Sequence, residues 1–227
     1  MTHHPAKYTD ALLPIFAEML VGCARVLDPF AGTGKIFELQ HALPDTKIVG
    51  VEIEKPWATM RAGTIQANAL ALPFANNHFD AICTSPTYSN RMADHHNAQD
   101  ASQRNTYRHN LNHDLHPENS DALQWGQQYR DFHRAAWLEI RRVLQPDRRA
   151  VLNCKDHIRA GQLIPVTQWH VETLMSLGFE TQEWRHVICP GNRRGANHHL
   201  RVEFESVILF HLNHPRRTCR MNLQGRQ

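Results

Sequence analysis

The sequence predicts an α/β fold built on a seven-stranded, mostly parallel sheet. Three observations carry the prediction. Near-continuous apolar, β-branched runs alternate with helical segments, as a sheet covered on both faces requires. Turns bearing Gly, Asn, Ser or an acid follow the carboxyl ends of four of those runs. The last two strand-like runs follow each other without a helix, which places an antiparallel hairpin at the sheet edge.

Each element has its own local reason. Residues 9–20 have helical apolar spacing, with Thr9 as N-cap and Pro14 in the first turn or at a kink. Residues 24–30 are the first strand, and 35–42 a helix that stops near Pro44. Residues 46–53 form a second, β-branched strand that ends at Glu52 and Glu54, with a short helix from Pro56. A weak third strand, 64–67, leads into Asn68 and Ala69. The fourth, 79–84, is broken by Ser85-Pro86-Thr87-Tyr88. Residues 89–120 lose all periodicity and read as a long insertion or lid. A long helix spans 121–144, with Trp125, Phe132, Ala136, Trp137, Ile140 and Leu144 on its apolar side. Strand five is 150–154, and a helix at 166–177 is capped by Gly178. Strands six and seven are 179–188 and 202–212. The result is one domain over residues 1–212 with an insertion at 89–120, followed by a basic tail at 213–227.

Composition narrows the function classes. A net charge of +3 says little about partners, but the arginines gather after Arg185. Five cysteines without a C-x-x-C pair, several inside apolar runs, read as buried thiols of a reducing, cytoplasmic compartment. No apolar run is long enough to span a membrane. The histidines between 94 and 116 raise zinc as an alternative, but irregular spacing and the absence of Cys favour a solvated polar segment and no metal.

The stretch Asp28-Pro29-Phe30-Ala31-Gly32-Thr33-Gly34-Lys35 joins a buried strand to a helix through a glycine turn. A phosphate-binding loop would need Gly where Asp28 stands and Ser or Thr where Ile36 stands, so that reading fails. A nucleoside-type cofactor against the sheet edge and an ordinary strand-turn-helix corner both remain. Glu52 suits the hydrogen-bonding of two ribose hydroxyls, and equally a solvated strand end. Asn68 suits an adenine edge, with the Ala69 amide as a second contact, or a loop cap. In Ser85–Tyr88, a side-chain oxygen and the Pro86 carbonyl suit acceptance of both hydrogens of a base amino group. That would make its nitrogen more nucleophilic, and Tyr88 offers a face for stacking. A proline loop with a surface Tyr is the plain alternative.

Taken together, Asp28–Gly34 and Thr84-Ser85-Pro86-Thr87-Tyr88 resemble the cofactor and catalytic motifs of the DNA amino-methyltransferases (N4-cytosine and N6-adenine). Arg201-Val202-Glu203-Phe204-Glu205 and the strand after it resemble the end of that family's domain. The resemblance covers residues 7–212 less the insertion. It implies a Rossmann-like class I methyltransferase fold that uses S-adenosylmethionine (AdoMet), yields S-adenosylhomocysteine and needs no metal. It implies cofactor contacts from Asp28, Pro29, Phe30, Ala31, Gly32, Gly34, Glu52, Ile53, Asn68 and Ala69, and from Tyr8 and Thr9 before the first helix. Ser85, Pro86 and Tyr88 are the implied catalytic residues around a flipped-out base. Ser85 in first place leans toward cytosine N4. The family usually has a second proline where Thr87 stands.

Substrate contacts are expected from Thr87, Asn90, Arg91, Arg193, Arg194 and Asn197, with arginine on phosphate setting register. The expected partner is DNA, with RNA as an alternative, and the chain acts as monomer or homodimer, with or without a restriction partner. Three functions stay open: DNA amino-methylation, the same chemistry on RNA or a protein Gln, and an inactive nucleic-acid-binding relative with Thr87 as the lesion.

Overall fold

In the computed structural model, which describes residues 9–89, 107–189 and 202–213, one seven-stranded sheet organises the chain. Its strands are β1 (Arg25–Asp28), β2 (Lys47–Glu52), β3 (Thr64–Gln66), β4 (Phe79–Thr84), β5 (Leu144–Cys154), β8 (Phe179–Ile188) and β9 (Phe204–Leu212). The spatial order is β3-β2-β1-β4-β5-β9-β8. The first five strands are mutually parallel, and β9 runs antiparallel between β5 and β8. The expected terminal hairpin is therefore present, with its second strand inserted inside the first. The order reverses between β1 and β4, and an α/β sheet collects ligands at the carboxyl edge of such a switch.

Alternation along each strand supplies two cores. Leu27, Ile82, Leu152 and Ile208 face a layer built from α4 (Gln127–Val143) and α5 (Val166–Ser176), including Trp137, Ile140, Val171 and Leu174. Val26, Ala81, Val151 and Val207 face α1 (Leu13–Leu20) and the turn Lys35–His41, through Phe16, Leu20, Ile36 and Leu39. At the opposite edge, Asp80 Oδ2 accepts from the Ala24 and Arg25 amides at 3.0 and 2.8 Å and ties the start of β1 to β4.

Several elements depart from the pattern reading for local reasons. Thr9 caps a 3-10 turn, Asp10–Leu12, by accepting from the Ala11 amide, and α1 starts only at Leu13 with Pro14 in its first turn. Residues 35–41 are a 3-10 helix, because left-handed Gly34 (φ 80°) winds the chain into i→i+3 bonds. The long helix begins six residues later than its pattern suggests. A 3-10 turn, Ser120–Ala122, takes the Asn119 cap instead. β5 continues α4 directly, and Asp147 (φ 57°) marks a register shift against β4. A two-stranded hairpin, β6 (His157–Arg159) and β7 (Gln162–Ile164), was not legible in three-residue runs.

The stretch read as a long insertion or lid is not uniform. Within it, α3 (Tyr107–Leu111) sets Tyr107 edge-on against Trp57, their rings 5.7 Å apart, and Leu111 completes a small third core. Trp57 belongs to α2 (Lys55–Ala58), so residues 107–120 are fastened over the carboxyl end of β2. Apolar anchors at 107, 111 and 115 are too sparse to show as periodicity.

Candidate active site

The carboxyl ends of β1, β2 and β3 form one half of the rim. β1 terminates at buried Asp28, whose Oδ1 accepts from the Thr84 hydroxyl at 2.7 Å and the Phe30 amide at 3.0 Å. Burial pushes its carboxyl up to about 6, against those two donors. The glycine turn folds back on β2: the Ala31 amide donates to Val51 O at 2.9 Å and the Gly34 amide to Ala31 O at 2.8 Å. The approach needs glycine on the β2 side, since a Cβ on Gly50 would stand 2.8 Å from Ala31 Cβ. Lys35 leaves the turn and pairs with Asp10 and Glu38, well away from any phosphate role.

Glu52 is buried at the end of β2 and accepts from the Gly32 and Glu54 amides. Burial is the main force that lifts its carboxyl to about 8. The two amides oppose it, and the charges of Asp121 and Glu54 add to it. Glu54 turns the other way and accepts from the His116 amide (2.7 Å) and Asn119 Nδ2 (2.8 Å), which anchors the overlying segment. Asp121 is pushed up to about 7, by burial first and then by Glu54. Beside this cluster lies a cavity of about 230 Å³ lined by Ile53, Gln66, Ala67, Asn68, His116 and Glu118. Asn68 in its lining donates to Glu118 Oε2 (3.1 Å) and accepts from the Leu70 amide (2.9 Å). Buried Ala69 follows it.

The other half of the rim is made by the ends of β4 and β5 and the start of β9. Ser85 Oγ and Tyr88 Oη lie 2.8 Å apart, and the Tyr88 hydroxyl reaches Glu205 Oε2 at 3.2 Å. Asn153 Nδ2 stands 2.7 Å from Glu205 Oε2, 2.8 Å from Tyr88 Oη and 3.2 Å from Ser85 Oγ. It carries two hydrogens for three acceptors, so the two shorter contacts are the bonds. The carboxylate also fixes which way the amide points, because a carbonyl oxygen there would be repelled. Asn153 Oδ1 is left buried with no hydrogen-bond partner among the described residues, at a cost of about 1–3 kcal/mol. Tyr88 is half-buried with its hydroxyl turned into this network, and burial, then Glu205, raises that phenol well above its ordinary range.

A second chain reaches the same loop from below. The Trp137 indole donates to His170 Nδ1 at 3.0 Å. An indole can only donate, so Nδ1 is bare and Nε2 carries the His170 proton. That proton points at Tyr129 Oη, 2.9 Å away, and the Tyr129 hydroxyl donates to the Thr87 carbonyl at 2.6 Å. Every donor in the chain is used once. His133, ring-to-ring with Tyr129 at 4.1 Å, donates from Nδ1 to Tyr129 O at 2.9 Å. Burial lowers His133 to about 4 and His170 well below its ordinary value, so both are neutral at neutral pH.

The tertiary structure thus brings Asp28, Pro29, Phe30, Ala31, Gly32, Gly34, Glu52, Ile53, Asn68 and Ala69 to one side of the rim, and Ser85, Pro86, Thr87 and Tyr88 to the other. Asp28 bridges the halves through Thr84. Thr9 is occupied as a cap at the start of the first helical turn. Tyr8, Asn90, Arg91, Arg193, Arg194 and Asn197 lie outside the described residues. Asn153, Glu205, Tyr129 and His170 were not among the sequence candidates. Asn153 had a signal, a lone amide inside the apolar run 150–154, and Glu205 sat in the quoted end motif. Tyr129 and His170 looked like ordinary residues of apolar helix faces. Among the described residues, no group of three or more His, Cys, Asp or Glu could hold a metal ion, and no helix is long and apolar enough to cross a membrane.

No protein-family model matches the chain. A demethylmenaquinone methyltransferase of Roseiflexus castenholzii is 40% identical over 77 residues, 30% of this chain. The match spans about a third (32%) of that relative's length. Among solved structures, a SAM-dependent methyltransferase from Methanosarcina mazei superposes with a TM-score of 0.58 at 14% identity, over 89% of this chain and 98% of its own. A 1,6-didemethyltoxoflavin-N1-methyltransferase from Burkholderia thailandensis, bound to its substrate and S-adenosylhomocysteine, gives 0.54 at 13% identity, over 90% and 79%. The fold is therefore that of the Rossmann-like AdoMet-dependent methyltransferases, and a fold by itself leaves the substrate open.

Proposed function

We propose that this chain is an AdoMet-dependent methyltransferase that modifies an exocyclic amino group of a base in DNA, cytosine N4 in the first place and adenine N6 in the second. The carrying observation is Ser85-Pro86-Thr87-Tyr88 at the carboxyl end of β4, across the sheet switch from the glycine turn, with Ser85 Oγ still able to accept a proton.

The residues of the first half fit AdoMet. The cavity beside Asn68 and Ile53 has room for a flat heterocycle, and Glu52 stands at the end of β2, where a ribose diol needs an acceptor. When bound, AdoMet supplies a methyl group on a sulfonium. The chain's task is then to place and polarise the acceptor amine. Ser85 Oγ and the Pro86 carbonyl take its two hydrogens, Tyr88 bounds the base, and the Tyr129–Thr87 bond holds the loop that presents them.

Tritiated methyl transfer from AdoMet to unmethylated genomic DNA, followed by nucleoside analysis, tests the proposal. N4-methylcytosine is the expected product; unlabelled DNA sinks it. A second reading, methylation of a small molecule, is favoured by the quinone-methylating relative. Label found in a lipid or small-metabolite fraction, with none in DNA, would select it.

A further inference from the structure

The polar groups of the second half have a direction. The Tyr88 hydroxyl has one proton to give, and its acceptor is Glu205 Oε2 at 3.2 Å. The Ser85 proton then falls to Tyr88 Oη at 2.8 Å. The Asn153 hydrogens fill Glu205 Oε2 and Tyr88 Oη, and so brace the far end of the chain without blocking Ser85. What remains is a lone pair on half-buried Ser85, connected by two hydroxyls to a buried carboxylate on β9. A loop that only had to accept a hydrogen bond would not need an acid behind it.

We propose that Glu205 is the terminal proton acceptor of the reaction, reached from the substrate amine through the Ser85 and Tyr88 hydroxyls, with Asn153 as the residue that positions the relay. This rests on the amino-methylation reading above. As the amine nitrogen forms its bond to the methyl carbon, the electron pair of the broken sulfur–carbon bond stays on sulfur. The nitrogen is left with one proton too many. That proton passes to Ser85 Oγ, the Ser85 proton to Tyr88 Oη, and the Tyr88 proton to Glu205 Oε2. The carboxylate ends as a carboxylic acid and returns its proton to water after product leaves. The relay avoids stranding a cation on a base in a poorly solvated rim.

Tyr88 faces Glu205 from the β4 loop, and the thiols of Cys154 and Cys189 sense its charge. Lys155 acts on Cys189 from the end of β5. Both thiols are raised by burial, so they stay neutral across the working range.

Glu205→Gln and Tyr88→Phe test the relay in two ways. The first needs no substrate. Infrared difference spectra, wild type minus E205Q and Y88F minus the double variant, are expected to isolate the carboxyl band of Glu205. That band should shift once the Tyr88 hydroxyl is gone. An unshifted band overturns the contact. The second is methyl transfer to genomic DNA. E205Q is expected to lower kcat about 100-fold, while AdoMet binding by calorimetry changes less than about threefold. Glu205→Asp should recover part of the rate. Amino label transferred by E205Q at the wild-type rate overturns the relay alone. Wild-type label on carbon or sulfur overturns the amino reading itself.

Discussion

The two halves of the rim hold their loops by different means. On the β1–β2 side, the glycine turn is fixed by backbone bonds and by carboxylates that accept amides: Asp28 from Phe30, Glu52 from Gly32 and Glu54. On the β4–β5–β9 side, Ser85–Tyr88 is fixed by side chains from four distant elements, through Asn153, Glu205, Tyr129 and His170. The first half stores buried acids with raised pKa values, the second buried imidazoles with lowered ones. The difference teaches that a turn built from consecutive backbone can be a local motif, whereas a loop held by side chains needs a surround braced from distant elements.

The sharpest test is the opposite pH response of the halves. Glu52 titrates at about 8 folded against 4.5 as its ordinary value, so the folded state binds its proton more tightly. The stability this contributes is complete below pH 4.5 and is lost as pH rises through about 8, a change on the order of 5 kcal/mol. His133 titrates at about 4 against 6.5, so the unfolded state binds the proton more tightly. Its contribution is present above pH 6.5 and lost as pH falls through about 4, on the order of 3 kcal/mol. Urea midpoints across this range should lose part of their alkaline decline in Glu52→Gln, with Asp28 and Asp121 supplying the rest, and part of their acid decline in His133→Phe, with His170 supplying the rest. A Glu52→Gln protein with the wild-type slope would refute the assignment.

Next in size is Gly50→Val, which drives a side chain into Ala31, only 2.8 Å from where Cβ would lie. AdoMet affinity should fall more than about 100-fold, while overpacking costs about 1–3 kcal/mol in stability. The Tyr129–His170–Trp137 chain is untouched by this change, so the second half should keep its near-ultraviolet signature. Calorimetry and circular dichroism check both.

Tyr129→Phe breaks the opposite half. It strands the Thr87 carbonyl and the His170 Nε2–H, for a loss of about 1–3 kcal/mol. Methyl transfer should drop about tenfold, with AdoMet affinity unchanged, which calorimetry beside single-turnover kinetics resolves. Equal losses in binding and rate would mean that the halves are not separable. The smallest effect belongs to Trp137→Phe, which removes the donor to His170 Nδ1 while keeping most of the ring, at about 0.5–1.5 kcal/mol. The freed imidazole can then switch tautomer, and the His170 Nε2 nitrogen resonance reports whether it does.

Much of this molecule could be read from its residues alone. Apolar runs set β1, β2 and β4 nearly to their ends, because a strand buried on both faces leaves a continuous apolar record in sequence. The sharp turn at Gly32 and Gly34 was legible because its conformation lies in consecutive backbone, where conformational freedom is written in residue type. What only the tertiary structure decided is partnership. Asn153 and Glu205 are 52 positions apart, and Tyr129 and His170 are 41. The sheet order puts β9 beside β5, and α4 and α5 share a core with both strands. Tyr107 and Leu111 gave no periodic signal because three apolar anchors suffice to pin a segment. A side chain's identity names the bonds it can make; the crossing of elements distant in sequence determines which of them it does make.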